Sequence, residues 1–389
     1  MEFQWLPEHV DFRRRLREVL IRELPADWEE QTQLDNSCEF AVSFARRFCP
    51  ILASEGLLIP HWKVANGGAG LDAYYHWILG EEMWAVGEPR SYQYMNVNWV
   101  GPALIKYGSQ RQRDEHLPRI AAGTVFYCQG FSEPAAGSDL ASLRTTAVLH
   151  GDHYVISGSK LWTSAASFAD FCILLARTGA VGRDGISVFV LPMDAKGVTV
   201  KPIGSLQGKR SFHAMFLDNV EVESAARLGE ENGGWSIVRD VLANERIGSP
   251  RYALAWRGLA RAVDWLVARG RFSDGATRVM AARARAALQA ARLLALRVVD
   301  GRVKNQPAGA DTHVARFAAA AAERMVCEFL STFALDLVAG SADPVVAAAY
   351  RRAGSAGIAA GSAEIQLNLI AHGFLSLPSE RVPDGLRIN

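Results

Sequence analysis

The sequence predicts an α+β protein in which a β domain interrupts two helical segments. Three changes of texture carry this reading. Residues 1–123 keep helical spacing of apolar positions, and 124–232 break into short β-branched and aromatic runs. Residues 233–389 return to helix and are rich in alanine.

In the first segment, "FRRRLREVLIREL", "EFAVSFARRFCPILASEG", "DAYYHWILGEEMWAVG" and "RQRDEHLPRIAAG" read as amphipathic helices. The glycine-rich "ANGGAGLD" breaks the run and offers Asp72 as an N-cap. From Phe126 onward come "SLRTTAVLHGDHYVISGSKLW", "DFCILLART", "GISVFVLP", "GVTVKPI" and "SFHAMFLDNVEVE", separated by turn pairs such as Gly151-Asp152. About 100 residues of that kind make a barrel or sandwich. After Gly233, "ARARAALQAARLLALRVV" and "HVARFAAAAAERMVCEFLSTFALDLV" are helix formers whose small side chains allow close packing.

Composition narrows the function. The chain has 389 residues, is 49% hydrophobic and carries a net charge of +1. That supports a large core in two or three lobes and argues against a mainly electrostatic nucleic-acid partner. The basic runs "DFRRRLREVL" and "YRRAG" read as solvated helix faces. Five cysteines without metal or CxxC spacing, a charged start and no apolar run of membrane-spanning length predict a soluble cytoplasmic protein.

One stretch resists a purely structural reading. In "VLANERIGSPRYALAW", residues Trp235, Val238, Leu242, Glu245, Ser249, Tyr252 and Trp256 fall on one helical face. A carboxylate there is costly to bury, and Pro250 removes a helix hydrogen bond. Glu245 reads either as half of an ion pair or as a functional acid.

The segment "YCQGFSEPAAGSDLASLRTTAVLHGDHYVISGSKLWTSAASFADF" would bring main-chain N–H groups and small hydroxyls up to a ligand, with Trp162 as an aromatic wall. It resembles the acyl-CoA dehydrogenase family, with its Thr/Ser-Glu-Pro-x-Ala-Gly-Ser-Asp loop and Gly-x-Lys-x-Trp strand. Four further stretches are similar to that family in the same order: "HWKVANGGAGLDAYYHWILGEEM", "KYGSQRQRDEHLPRIAAG", "MFLDNVEVE…LGEENGGW" and "GSAEIQLNLIAHGFLSLP". The resemblance implies an N-terminal helical domain, a middle β-barrel and a C-terminal four-helix bundle, assembled as a tetramer that binds FAD and an acyl-CoA thioester. It places Gln129, Phe131, Ser132, Trp162 and Ser164 around the flavin ring, and Ser138 near both cofactor and pantetheine. It implies further cofactor contacts at Arg271, Ser362 and Glu364, and substrate contacts at Asn244, Arg246, Ala360 and Gly361.

The reaction implied is α,β-dehydrogenation: a carboxylate takes the α-proton while the β-hydrogen leaves as hydride to the flavin. In many members the base stands where this chain has Ala360, in "GIAAGSAEIQ". Other members, among them a bacterial steroid side-chain group, carry it on the long helix before an Arg. Glu245-Arg246 matches that place, which implies Glu245 as the base, with Glu364 the rival acid. The backbone N–H at 360 and the flavin ribityl hydroxyl would hold the thioester carbonyl.

The family binds the ADP half of FAD across a subunit interface. Here Arg271 is retained, but Asp274 replaces an expected Phe, Ala281 and Ala282 replace His-Gln, and Asp336 replaces a neutral amide. Two readings stay open: drift in a homotetramer, or an α2β2 enzyme whose second dehydrogenase-like chain supplies the missing contacts. Electron-transfer flavoprotein is the implied acceptor. The competing functions are a non-catalytic partner subunit and a flavin oxidase or monooxygenase on the same fold.

Overall fold

The computed structural model describes residues 5–245, 250, 252–306, 309–339, 342–359 and 361–378. The N-terminal helices are α1 (Pro7–Glu23), α2 (Trp28–Thr32), α3 (Glu39–Ser54), α4 (Ala73–Ala85), α5 (Gln93–Met95), α6 (Gly101–Tyr107) and α7 (Gln110–Ala121). Asp72 caps α4 as expected, its carboxylate accepting from Tyr74 N–H at 2.8 Å. Ser109 and Gln112 close a reciprocal capping box on α7. A π-helical turn, Asn96–Val100, precedes α6, and such turns often mark functional sites.

The middle strands are β1 (Tyr127–Gly130), β2 (Thr146–His150), β3 (His153–Thr163), β4 (Phe171–Arg177), β5 (Ile186–Pro192), β6 (Val198–Ser205), β7 (Gly208–Glu223) and β8 (Arg227–Leu228). They form one sheet in the order β6-β7-β3-β2-β4-β5-β8, with β1 parallel to β4. β4 and β5 are apolar and buried almost end to end, because the sheet is covered there by other elements; β2 and β6 lie largely toward solvent.

The C-terminal helices are α8 (Gly234–Glu245), α9 (Tyr252–Ala268), α10 (Gly275–Val303), α11 (Asp311–Phe333), α12 (Leu335–Val338), α13 (Pro344–Ala356) and α14 (Ala363–Gly373). Helices α9, α10, α11 and α13 pack together through a core including Leu259, Leu288, Phe329 and Val346. Trp77 of α4 belongs to that core, while its neighbours Ile78 and Leu79 belong to the core shared by the N-terminal helices and the sheet. Helix α4 is therefore wedged between the lobes.

Two expectations change. The stretch around Glu245 is not one helix: α8 is described to Glu245, α9 starts at Tyr252, and Pro250 is in neither. Nor are the arginine runs simply solvated. Arg13 bonds Glu81 at 3.1 Å and also pairs with Glu82, while Arg17 reaches Glu82 at 2.8 Å. Arg292 and Tyr252 close on Glu81 from the C-terminal lobe at 2.6 and 3.0 Å. Burial pushes the Glu81 carboxyl up, but Arg292 and Arg13 outweigh it and hold it below the usual range. Arg351 and Arg352 donate to the carbonyls of Gln33 and Leu34. A helical wheel shows which face an arginine takes, and not that another lobe will bring carboxylates or carbonyls to it.

Candidate flavin and substrate site

The end of β3 is shaped by a bulge. Lys160 pairs with Met215 and Thr163 with His213, so Leu161 and Trp162 together face one residue of β7. A bulge re-aims side chains, and Trp162 takes a left-handed backbone (φ 61°) and is 56% exposed. A tryptophan held in that conformation and shown to solvent is strained without a packing return, which points to a ligand. Its ring meets Phe212 edge-on at 6.0 Å.

The "SEPAAGSD" loop is tied to the same strand end. Leu161 N–H donates to the Ser132 carbonyl at 2.8 Å, and Glu133 and Ala136 exchange backbone bonds at 2.9 and 3.1 Å around Pro134. Glu133 then turns inward. Its carboxylate accepts from Arg144 N–H at 2.7 Å, Thr145 N–H at 2.9 Å and Lys160 Nζ at 2.7 Å. Lys160 Nζ also donates to the Phe131 carbonyl at 3.3 Å. Burial drives the Lys160 ammonium down to about 8 against the opposing pull of Glu133. Burial raises the Glu133 carboxyl, yet Lys160 and the Thr145 and Arg144 donors bring it below its ordinary value. This latch was missed in the sequence, although the motif that flagged Trp162 contains Lys160.

Around this end several buried polar atoms lack partners: Gln129 Oε1, Thr163 Oγ1 and His213 Nε2. The first is on β1, which packs against β3, and the other two face each other across the β3–β7 register. Phe131 is buried, Ser132 and Ser164 half-buried, and Ser138 exposed. A planar ring with a polar edge fits such a set, since orphaned buried polar atoms are costly.

A cavity of about 430 Å³ opens between the lobes, within the range of small-molecule sites. Helix α4 gives it Ala73, His76, Trp77 and Gly80, a spacing of one helical face. Pro102 and Ile105 of α6, Asn98 of the π turn and Val299 and Arg302 of α10 add to the wall. Gly80 makes room for the chain after α8, since a Cβ there would stand 3.1 Å from both Cδ and Cγ of Pro250.

Glu245 is half-buried at the end of α8. Asn244, just before it, and Pro250, the next described residue after it, line the cavity, while Glu245 itself is not among the lining residues. Arg246 and Ala360 lie outside the described residues. Ser362 caps α14 by accepting from Ile365 N–H at 3.3 Å, with Gly361 left-handed before it (φ 90°). Glu364 is in the first turn of α14, exposed, with its carboxyl held below the usual range by hydrogen bonds at that helix end.

At the positions expected to meet the ADP half, Arg271 pairs with Asp336 at 3.7 Å and lies over Trp265. Asp274 caps α10, accepting from Thr277 N–H at 2.9 Å. Ala281 is buried in the bundle core and Ala282 exposed. The two acids that replace neutral residues are thus engaged within the chain.

Three family profiles match the chain in order: acyl-CoA dehydrogenase, N-terminal domain, over 6–124; middle domain, over 128–220; and C-terminal domain, over 232–375. The acyl-CoA dehydrogenase IpdE1 of Mycobacterium tuberculosis is 34% identical over 342 residues, 85% of this chain and 87% of that protein. Among solved structures, a chain of the Tcur3481-Tcur3483 steroid acyl-CoA dehydrogenase superposes with TM-score 0.87 at 29% identity, covering 97% of this chain and all of that one. A chain of the ChsE4-ChsE5 complex from Mycobacterium tuberculosis gives 0.84 at 28% identity, with the same coverage.

Proposed function

The chain belongs to the acyl-CoA dehydrogenase family and is a flavin-dependent oxidoreductase, and from that premise we propose that it desaturates a bulky acyl-CoA at the α,β bond with Glu245 as base. The observation that carries this reading is the placement of Glu245. It ends α8, and Asn244 before it and Pro250 five residues after it open onto the interlobe cavity. A carboxylate in half-buried surroundings is a stronger base than one in water.

Gln129, Phe131, Ser132, Trp162 and Ser164 hold FAD by its ring. When bound, FAD supplies the oxidant that accepts the β-hydride. Glu245 takes the α-proton, and the enoyl thioester leaves with two hydrogens fewer. The Glu133–Lys160 latch keeps the Ser132 loop against β3 while this happens.

The cavity's size and the likeness to chains of a steroid dehydrogenase favour a ring-bearing acyl group over a short linear one. The same likeness, with Arg271 already paired to Asp336, favours an α2β2 assembly whose second dehydrogenase-like chain completes the ADP contacts. Electron-transfer flavoprotein is the proposed acceptor. Co-expression with such a chain should give a heterotetramer holding two FAD per four chains, which forms enoyl-CoA two mass units below its substrate. A self-tetramer with four FAD would contradict the partnership; no mass loss with any bulky thioester would contradict the activity.

A further inference from the structure

The interlobe cavity is not lined like a pure hydrocarbon site. Beside Trp62, Trp77 and Ile105 it presents two imidazoles, the amides of Asn66, Asn98 and Asn244, the Lys63 ammonium and the Arg302 guanidinium, and no carboxylate lines it among the described residues. The rings of His61 and His76 lie 3.9 Å apart at 34°. In both, Nδ1 is buried and without a hydrogen-bond partner, which leaves Nε2 as the nitrogen the cavity can reach. The tautomer that avoids burying an unpaired N–H carries its proton on Nε2. Burial holds His61 neutral, its pKa lowered to about 3 with help from Arg302; burial, His61 and nearby arginines lower His76 as well. Both rings are therefore donors toward the cavity.

Arg302, one turn beyond Val299 on α10, adds a permanent cation. Its one hydrogen bond among the described residues goes to the Ala243 carbonyl at 3.5 Å, and no carboxylate pairs with it there. Arg302 is exposed where it meets the cavity and has four N–H groups that no protein acceptor takes among the described residues, so a charged acceptor arriving with a ligand can take them.

We propose that His61, His76 and Arg302 form a polar subsite that selects acyl groups carrying a hydrogen-bond-accepting oxygen, a ketone or a carboxylate, away from the thioester. This rests on the proposed acyl-CoA reading of the cavity. A hydrocarbon placed there would leave two half-buried imidazole N–H groups unpaired and make no use of the Arg302 guanidinium beside them. An oxygen acceptor satisfies them, and a site built to hydrogen-bond discriminates strongly against analogues that lack the group. Two histidines with no third ligand do not make a metal site, and no cluster of metal-ligating side chains occurs among the described residues.

The test uses the FAD-loaded assembly and three CoA thioesters of one ring-bearing skeleton: plain hydrocarbon, ketone and carboxylate. Relative kcat/KM comes from product mass, and relative affinity from calorimetry, which needs no turnover. The wild type should favour an oxygenated thioester over the hydrocarbon by roughly tenfold or more in both readouts. Arg302→Met should collapse that ratio most for the carboxylate, and His76→Phe most for the ketone. His61→Phe provides a second ring variant if His76→Phe does not fold, and Arg302→Lys should recover part of the carboxylate preference. A wild-type ratio at or below one, or ratios unmoved by the variants, overturns the subsite. If no thioester is desaturated, the proposed reaction fails, while the calorimetric ratios still decide whether the subsite exists.

Discussion

Lys160→Met isolates what the loop latch contributes. The substitution keeps the length and apolar stem of Lys160 but removes the cation from a carboxylate that is 8% exposed. Glu133 would keep its two backbone donors at 2.7 and 2.9 Å and lose the third partner at 2.7 Å. Breaking one side of a buried pair costs about 3–5 kcal/mol, because the other charge is left uncompensated. At roughly 2–4 °C per kcal/mol, that lowers the melting midpoint by about 6 °C or more. Glu133→Gln should be similarly harmful, since it strands the Lys160 ammonium beside the Phe131 carbonyl. The double variant, with no charge left to bury, should recover much of the loss. Thermal unfolding followed by circular dichroism on the four proteins reads the coupling directly. Single variants within 1–2 °C of wild type, or a double variant showing the full sum of both losses, would refute the latch.

Three further outcomes follow from the same geometry. Trp162→Ala with Ser164→Ala should weaken FAD retention and shift the flavin absorbance envelope; an unchanged spectrum and stoichiometry would put the ring elsewhere. Gly80→Val sets a branched side chain against Pro250 and into the cavity, so the kcat/KM ratio of ring-bearing to butyryl thioester should fall roughly tenfold or more; an unchanged ratio would show that α4 does not bound the acyl group. Glu133 is held below its ordinary pKa of 4.5, so its contribution to stability is complete above that pH and lost as pH falls through the lower folded value. Melting midpoints between pH 6 and pH 3.5 should therefore drop further for wild type than for Glu133→Gln, and parallel curves would contradict this.

Local chemistry made much of the fold legible. Asp72 caps α4 because a short acceptor before an apolar helical pattern has few other uses, and the strand runs of 146–223 showed through β-branching and turn pairs. What stayed hidden depends on contacts distant in sequence. Lys160 and Glu133 are 27 residues apart and meet only when β3 closes on the loop. His61 is in the loop before α4, His76 on α4 and Arg302 on α10, and only assembly of the lobes places all three on one cavity. A signal was available on α4, where Ala73, His76, Trp77 and Gly80 set small and polar residues into a stripe that packing alone would fill with leucine. The arginines of α1 needed Glu81 and Glu82 to be brought against them before they could be seen as a clamp.

The central claim is that Glu245 removes the α-proton, and single-turnover reduction of the flavin tests it most directly. FAD-loaded assembly mixed anaerobically with a saturating bulky acyl-CoA should lose its flavin absorbance in the wild type. Glu245→Gln should bind the same thioester and keep the oxidised spectrum, with a reduction rate lower by at least ~10²-fold, the lower range for loss of a general base. Reduction at more than half the wild-type rate in Glu245→Gln would contradict the assignment and return the search to another acid.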